Sequence, residues 1–276
     1  MASTGEGTQL SAVTYRPAGS DSGFPFDVPA IATLATVEFD APVTLLVGEN
    51  GAGKSTFLEA LALAADLPAV GSARLAADPT LAAQRRLADR MRIAWRGRTR
   101  RGFFLRAEDF FGFQKRLAQQ RAEHEAESRR VDVELANASD HARGLAKGPH
   151  HSSMADMTRR YGENPDAASH GEAFLRLFSA RLAPRGVYLL DEPEAALSPQ
   201  SQLGLLAMMK GALDAGSQFV VATHAPLLMA TPGATILSFD EAPVRRVSFD
   251  EIESVSLVRD FLQAPERYLR RIWDGD

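Results

Sequence analysis

The chain has 276 residues, of which 45% are hydrophobic and 24% are charged, a composition typical of an ordinary globular protein. It contains no cysteine, which excludes disulfides, thiolate zinc sites and a cysteine nucleophile and is compatible with a reducing compartment. Its formal net charge of −4 argues against a protein that coats nucleic acid with its whole surface.

The first third of the chain predicts strands followed by a helix. Residues 1–30 are rich in Gly, Ser and Pro and predict an irregular lead-in. The partly alternating segment Ile31–Phe39 and the apolar run Val43–Val47 predict two strands, the second of them buried. From Lys54 onward, apolar residues recur at helical spacing until Pro68 ends the helix. The predicted order is therefore strand, glycine-rich turn and helix.

The middle of the chain predicts a helical lobe inserted into one domain. Gly102–Arg106 has the composition of a strand, whereas Gln114–Lys147 is polar, alanine-rich and helix-favouring. A helix of that length spans at most about 50 Å, and the segment has no sustained apolar heptad, which excludes a long coiled-coil arm. We assign about residues 107–160 to the lobe and residues 1–276 to a single domain.

The last third of the chain alternates helical and strand-like segments. An amphipathic helix follows Gly171, and apolar strand-like runs occur at Val187–Leu190, Phe219–Ala222 and Thr235–Phe239. Helices separate at least the first two runs, which is the pattern of a parallel sheet covered by helices. Pro265–Trp273 predicts a final amphipathic helix. The pattern predicts the α/β class.

One segment is far more basic than the rest of the chain. Arg85–Arg130 has 14 basic and 6 acidic residues, and Arg90–Arg101 within it holds six arginines, Trp95 and no acid. Such a segment can bind a phosphate backbone or stack on bases. The alternative is a solvated face, since nearly all basic residues of this chain are arginines.

The sequence predicts neither membrane insertion nor export. No stretch approaches the roughly 18 consecutive apolar residues that a membrane-spanning helix needs. The N-terminus lacks the basic cluster and the apolar stretch of an export signal. We therefore expect a cytoplasmic protein that does not insert into a membrane.

The segment after the second predicted strand has the pattern of a phosphate-binding loop (P-loop, or Walker A). It matches G-x-x-x-x-G-K-[ST] at every fixed position. Its glycines allow backbone N–H groups to converge on phosphate oxygens, and the dipole of the following helix points at the same charge. Lys54 would neutralise the β- and γ-phosphates, and Ser55 would ligate Mg²⁺. The predicted nucleotide-binding residues are Gly48, Glu49, Asn50, Gly51, Ala52, Gly53, Lys54, Ser55 and Thr56.

Two later segments would supply the remaining chemistry of a nucleotide hydrolase. The first apolar run of the last third ends in Asp191, a second Mg²⁺ ligand, and Glu192, the general base for water that attacks the γ-phosphate (Walker B). Acids commonly end buried strands, so the P-loop is what makes the functional interpretation the better one. His224 follows the next run, where ligands bind in parallel sheets, and would hydrogen-bond the γ-phosphate. The predicted catalytic residues are Lys54, Glu192 and His224.

In their order these motifs resemble those of the ATP-binding-cassette (ABC-type) ATPases. Residues 168–172 stand in the place of the LSGGQ-type signature, and residues 196–198 in the place of the D-loop. The resemblance covers about residues 30–240 and implies an antiparallel β portion near the N-terminus and a helical lobe beside the mainly parallel sheet. It also implies that Ser169 and the backbone of Gly171 contact the γ-phosphate bound to the other subunit of a head-to-tail homodimer.

Several segments resemble a narrower group, the small standalone bacterial ATPases labelled "AAA family ATPase". The segments are SHGEAFLRLF, YLLDEPEAALSPQ, THAP and APERYLRR. That group is placed with the SMC- and RecF-like ATPases of repair and chromosome maintenance. The resemblance implies a dimerisation-gated ATPase that uses ATP and Mg²⁺ and acts on nucleic acid or a protein partner. The alternative is the ATP-binding subunit of an ABC transporter whose membrane part is a separate chain.

The sequence departs from the ABC-type pattern at two places. The signature has Ala168 and His170 where the pattern has Leu and Gly. The loop after Gly102–Arg106 lacks the usual Gln; Glu108 is the nearest group that can reach the Mg²⁺ shell, and Gln114 is a more distant candidate. Because this loop couples transport cassettes to their membrane subunit, its divergence counts modestly against a transporter.

Other classes of P-loop protein match the sequence less well. A Ras-type GTPase needs an N/T-K-x-D motif, and none of the four lysines lies in one. An AAA+ hexamer needs a small helical domain and an arginine finger after the acidic strand, whereas a further strand-like run and His224 follow here. A small-molecule kinase would leave the signature-like segment unexplained.

Overall fold

The computed structural model describes residues 8–19, 21–70, 75–136, 139, 146, 148 and 170–273. Its strands are β1 (Leu10–Tyr15), β2 (Thr36–Glu38), β3 (Val43–Val47), β4 (Met91–Trp95), β5 (Gly102–Arg106), β6 (Val187–Asp191), β7 (Gln218–Ala222), β8 (Thr235–Ser238) and β9 (Arg245–Val247). Its α-helices are α1 (Pro29–Ala32), α2 (Lys54–Ala64), α3 (Ala82–Ala88), α4 (Ala107–Glu134), α5 (His170–Arg181), α6 (Pro199–Asp214), α7 (Pro226–Met229), α8 (Glu253–Gln263) and α9 (Pro265–Trp273). The last helix has the bounds that the sequence predicts.

The central sheet is mainly parallel, which confirms the predicted fold class. Its order is β5-β6-β7-β3-β8-β9, and β9 runs antiparallel to β8 while the other neighbours are parallel. Strands β3, β6 and β7 are buried at every position, as expected for strands that are covered on both faces. The carboxyl ends of the five parallel strands therefore lie at one edge of the sheet, and their amino ends lie at the opposite edge.

Alternating residues of β3 divide the core into two layers. Leu46 packs in a cluster with Phe57 of α2 and Val13 of β1. Leu45 packs in a second cluster with Phe178 of α5 and with residues of α6 and α7. Each fully buried side chain of this size stabilises the fold by roughly 1.5–3 kcal/mol. The two clusters fix α2 on one face of the sheet and α5 and α6 on the other.

The N-terminal region contains more regular structure than its sequence predicts. The expected irregular lead-in is wrong for Leu10–Tyr15, which forms β1 at the centre of the antiparallel sheet β2-β1-β4. The predicted strand Ile31–Phe39 is too long, because Pro29 starts helix α1 and only Thr36–Glu38 pairs with β1. A local pattern misses β1 because its pairing with β4 joins segments far apart in the chain. The sheet confirms the expected antiparallel β portion.

Helix α4 begins where the predicted lobe begins. Strand β5 occupies Gly102–Arg106 as predicted, but the helix starts at Ala107 rather than at Gln114 and ends at Glu134. Its 28 residues span about 42 Å. Most of the predicted lobe beyond α4 lies outside the described residues, so the division into one domain and a lobe stays a prediction. Within the described chain, no helix combines the length and apolarity needed to cross a membrane.

Replacing Gly102 with Ala should destabilise the fold. Gly102 has a φ of 126°, and a Cβ there would lie 1.8 Å from the carbonyl oxygen of Val187. Because β5 or β6 would have to shift, we expect the free energy of unfolding in urea to fall by at least about 2 kcal/mol. Gly211→Ala is the control: Gly211 is exposed in α6 with no atom within 4 Å, so this change should stabilise by up to about 1 kcal/mol. Equal effects would contradict the steric explanation.

Candidate nucleotide-binding site

The predicted P-loop connects the carboxyl end of β3 to the first turn of α2. Gly48, Gly51 and Gly53 have φ values of 141°, 83° and 100°, a region that favours glycine. A Cβ on Gly48 would lie 2.9 Å from Oδ1 of Asp240, and the same oxygen accepts a hydrogen bond of 2.5 Å from the backbone N–H of Glu49. Asp240 therefore holds the start of the loop. The other predicted loop residues are the exposed Asn50 and the half-buried Ala52, Ser55 and Thr56.

Lys54 lies inside the loop rather than in solvent. Its side chain is buried, and Nζ donates hydrogen bonds of 2.7 Å and 2.8 Å to the carbonyl oxygens of Gly48 and Glu49. Burial lowers the pKa of Lys54, because it disfavours the charged form. The carboxylates that oppose this shift are those of Glu192, Asp240, Asp191 and Glu194. An ammonium group held in this way is a suitable cation for a polyphosphate.

Ser55 and Asp191 meet across the carboxyl edge of the sheet. Ser55 Oγ donates a hydrogen bond of 3.0 Å to Asp191 Oδ1. Burial, together with the nearby charges of Glu59 and Glu192, raises the pKa of Asp191 to about 7, although Ser55 and Arg106 act in the opposite direction. A hydroxyl and a carboxylate are hard oxygen donors of the kind that Mg²⁺ prefers. This donor set is therefore chemically suited to the predicted ion.

Glu192 and His224 lie side by side at the ends of neighbouring strands. Glu192 has the left-handed backbone conformation, with φ 47° and ψ 49°, and its N–H donates to the carbonyl oxygen of Ala222 at 2.9 Å. Its Oε1 lies 3.6 Å from Nε2 of His224, and this buried nitrogen has no hydrogen-bond partner among the described residues. The Glu192 side chain is 44% exposed, so water can reach a carboxylate in this position.

Glu194 is a site residue that the sequence analysis missed. Its Oε1 accepts hydrogen bonds from Thr223 Oγ1 at 2.8 Å and from the backbone N–H of His224 at 2.5 Å. Its Oε2 is buried and has no hydrogen-bond partner among the described residues. Glu194 thus joins the turn after β6 to the turn after β7. The sequence signal was a third acid two residues after Glu192, which has no assigned position in the P-loop template.

Arg106 is a second residue that the sequence analysis missed. It ends β5 in register with Asp191 of β6 and is buried. Its guanidinium contacts Glu59 of α2 at 3.0 Å and Asp109 of α4 at 2.8 Å and 3.1 Å, which raises the pKa of Arg106. Glu108, the residue expected to approach the metal shell, is 75% exposed, and its carboxylate lies 3.4 Å from Arg106. The side chain beside Asp191 at this strand end is therefore the arginine.

Of the two predicted signature residues, Gly171 lies within the described part of the chain and Ser169 does not. Gly171 is buried in the first turn of α5, where a Cβ would lie 2.7 Å from Ser201 Oγ of α6. The close approach of α5 to the start of α6 therefore requires glycine at position 171.

Comparison with known proteins identifies related families and solved structures. A family model described as "AAA domain" matches residues 32–131, and one described as "AAA domain, putative AbiEii toxin, Type IV TA system" matches residues 82–230. The Smc head domain of Pyrococcus furiosus, solved bound to the C-terminal domain of ScpA, aligns at 13% identity and a TM-score of 0.43 over 92% of this chain and 99% of its own. CbiO1 of Clostridium perfringens, part of the ABC transporter complex cbiONQ, aligns at 15% identity and a TM-score of 0.48 over 94% and 97%. No curated protein matches the chain.

Asp191→Asn should stabilise the metal-free protein at high pH and not at low pH. The pKa of Asp191 is about 7 in the folded state against an ordinary value of 3.8, so protonation favours folding. This stabilisation is complete below about pH 4 and is lost as the pH rises through about 7. Because the amide resembles the protonated carboxyl at every pH, the unfolding free energy in EDTA should fall less with pH in the variant than in the wild type.

The control for this experiment is Asp214→Asn. The Asp214 side chain is 64% exposed and paired with Lys210, so its replacement removes one surface carboxylate and leaves the buried site intact. Equal pH slopes for Asp191→Asn and the wild type would contradict the raised pKa.

Proposed function

The chain belongs to the AAA-domain family whose model matches residues 82–230 and is an ATPase, and on that premise we propose that residues 48–56, Asp191, Glu192 and His224 form its hydrolytic site. The reaction converts ATP and water to ADP and phosphate. The observation that carries the proposal is the 3.0 Å hydrogen bond between Ser55 and Asp191, because it joins the loop that would bind phosphate to the strand that carries the acids.

Each residue of the site has a separate role in the proposed reaction. The loop N–H groups and Lys54 bind the β- and γ-phosphates and fix the γ-phosphorus for in-line attack. Ser55 and Asp191 would hold Mg²⁺, which would neutralise charge on the β- and γ-oxygens. Glu192 accepts a proton from water as the water oxygen attacks phosphorus and the bond to the ADP oxygen breaks. His224 donates a hydrogen bond to the γ-phosphate.

We further propose that two copies of the chain bind ATP head to tail. In this arrangement Ser169 and the backbone of Gly171 from one subunit contact the γ-phosphate bound by the other. ATP then joins the subunits, and hydrolysis releases them. The burial of Gly171 against α6 supports a fixed position for this glycine next to the turn after β6. Through this cycle of binding and hydrolysis the ATPase acts on nucleic acid or on a protein partner, as ATPases of the repair or defence type do.

Glu192→Gln should abolish hydrolysis while leaving ATP binding intact. Removing a general base typically costs about 10²- to 10⁴-fold in rate. Phosphate release measures the rate, and light scattering with and without Mg²⁺-ATP should show a dimer only with the nucleotide. Lys54→Ala should lose ATP binding, whereas Glu241→Gln, an exposed glutamate paired with Arg245, should match the wild type.

Two results of that experiment would contradict separate parts of the proposal. If Glu192→Gln hydrolysed ATP at the wild-type rate, Glu192 would not be the general base. An ATP-bound variant that stays monomeric would leave the hydrolytic site standing but would contradict gating by dimerisation.

Glu194→Ala should slow hydrolysis without weakening ATP binding. Glu194 is not itself a predicted phosphate ligand; its carboxylate accepts hydrogen bonds from the backbone N–H of His224 and the hydroxyl of Thr223. Loss of a hydrogen bond to a charged group costs about 1.5–3 kcal/mol, so we expect kcat to fall by about tenfold or more. Glu194→Gln, which keeps a carbonyl acceptor, should restore most of the rate.

A double-mutant cycle distinguishes this positioning role from a general loss of structure. Thr223→Val should also slow hydrolysis, and the double variant should be less impaired than the product of the two single effects. Independent effects, or a raised Kd for ATP, would contradict the role of Glu194.

A further inference from the structure

The amino edge of the central sheet carries a charged surface on the opposite side from the nucleotide site. The loop before β5 brings Arg98, Arg100 and Arg101 to this edge, and the loop before β6 brings Arg185. All four side chains are exposed. We call these four residues the arginine edge. The parallel strands between the two edges have four or five residues each, so the edges are about 17 Å apart.

Two hydrogen bonds hold the two segments of the arginine edge together. The N–H of Val187 donates to the carbonyl oxygen of Arg101 at 3.0 Å, and Nη1 of Arg101 donates to the carbonyl oxygen of Pro184 at 3.2 Å. Arg185 follows Pro184 directly, and its N–H donates to the carbonyl oxygen of Ala215 at 3.1 Å. The fold thus adds Arg185, which is 84 residues from Arg101, to the basic segment seen in the sequence.

The positive charge of the arginine edge is not neutralised by neighbouring acids. Within the described chain, none of its four arginines forms an ion pair. Two carboxylates at this edge form ion pairs with other residues: Asp40 contacts Arg246 at 2.7 Å, and Asp214 contacts Lys210 at 2.5 Å. A chain with a net charge of −4 therefore concentrates unpaired positive charge at one place, which is the electrostatic complement of a polyanion.

The shape of the arginine edge favours recognition of a phosphate backbone over stacking on bases. Trp95, which the sequence suggested for stacking on bases, is half-buried and packs against the core cluster that contains Val13 and Phe57. Residues 96–101 and 182–186 contain no aromatic residue. Guanidinium groups bind phosphate oxygens in a bidentate manner and need no access to the bases.

We propose that the arginine edge binds the sugar–phosphate backbone of a nucleic-acid duplex without sequence preference. This inference narrows the partner in the proposed function to nucleic acid. It rests on the proposed function only in taking the protein to use ATP. The nucleotide site and the duplex site lie at opposite edges of the same strands. The duplex therefore does not compete with ATP for the loop that follows β3.

Salt-dependent binding of a fluorescein-labelled DNA duplex tests this proposal. Four phosphate contacts predict a slope of about −3.6 in log K against log salt, or about 150-fold weaker binding for a fourfold rise in salt. The variant Arg98→Ala/Arg100→Ala/Arg185→Ala should reduce the slope to about −0.9. Arg101 is kept because its guanidinium also bonds to the protein backbone.

The matched control removes the same charge elsewhere. Arg130, Arg245 and Arg259 are exposed and ion-paired, with Glu134, Glu241 and Asp250 respectively, so their triple alanine variant has the same net charge as the test variant. The control should keep the wild-type slope. Equal losses in both triple variants would overturn the proposal, because they would show a dependence on net charge alone.

Two further measurements separate the possible failures. Poly-L-glutamate should displace the duplex far less effectively than unlabelled duplex at equal charge; equal displacement would assign the surface to acidic proteins and overturn the proposal. Basal ATP hydrolysis should be the same in the test variant and the wild type. If the wild-type protein hydrolyses ATP but does not bind the duplex, this inference alone is overturned. If the wild-type protein does not hydrolyse ATP, the proposed function is overturned.

Discussion

The geometry of the site depends on the parallel order that brings the carboxyl ends of β3, β6 and β7 to one edge. Strand β3, which leads into the P-loop, does not pair with β6, which carries the acids; β7 lies between them. Neighbouring strands are about 4.8 Å apart, so the loop and the acids are separated by two such steps. The hydrogen bond from Ser55 to Asp191 spans that separation. Ladder hydrogen bonds along all three strands keep the distance constant, which a metal site of fixed coordination requires.

This arrangement carries an electrostatic cost that neighbouring groups partly offset. Lys54, Glu59, Arg106 and Asp191 are each at most 8% exposed, and burial disfavours the charged form of each group. Arg106 offsets its own burial through two close carboxylates, those of Glu59 and Asp109. Asp191 forms no ion pair within the described chain, and its pKa is correspondingly raised. A buried carboxylate whose closest partner is a hydroxyl is well suited to bind a divalent cation.

The same strands connect two edges with opposite electrostatic character. The carboxyl edge combines Lys54 and the ion-paired Arg106 with the acids of the turns after β6 and β8, whereas the amino edge carries the arginines before β5 and β6. The ends of β5 illustrate this connection: Arg101 precedes the strand and Arg106 ends it, next to Glu59 of the P-loop helix and Asp109 of α4. Strand β5 thus links a residue of the arginine edge to a side chain that contacts the P-loop helix.

The sequence by itself determined the P-loop pattern, the acids at the end of β6, the histidine after β7 and the mainly parallel fold class. These features depend on local backbone conformation and on continuous apolar runs, so nearby residues specify them. Only the tertiary structure revealed strand β1, the pairing of Arg106 with Glu59, the contacts of Glu194 and the position of Arg185 beside Arg101. Each of these depends on residues or strands that the topology brings together after the chain has folded. Which charged side chains form pairs depends on the distance between them in the folded protein, and their spacing in the sequence does not specify that distance.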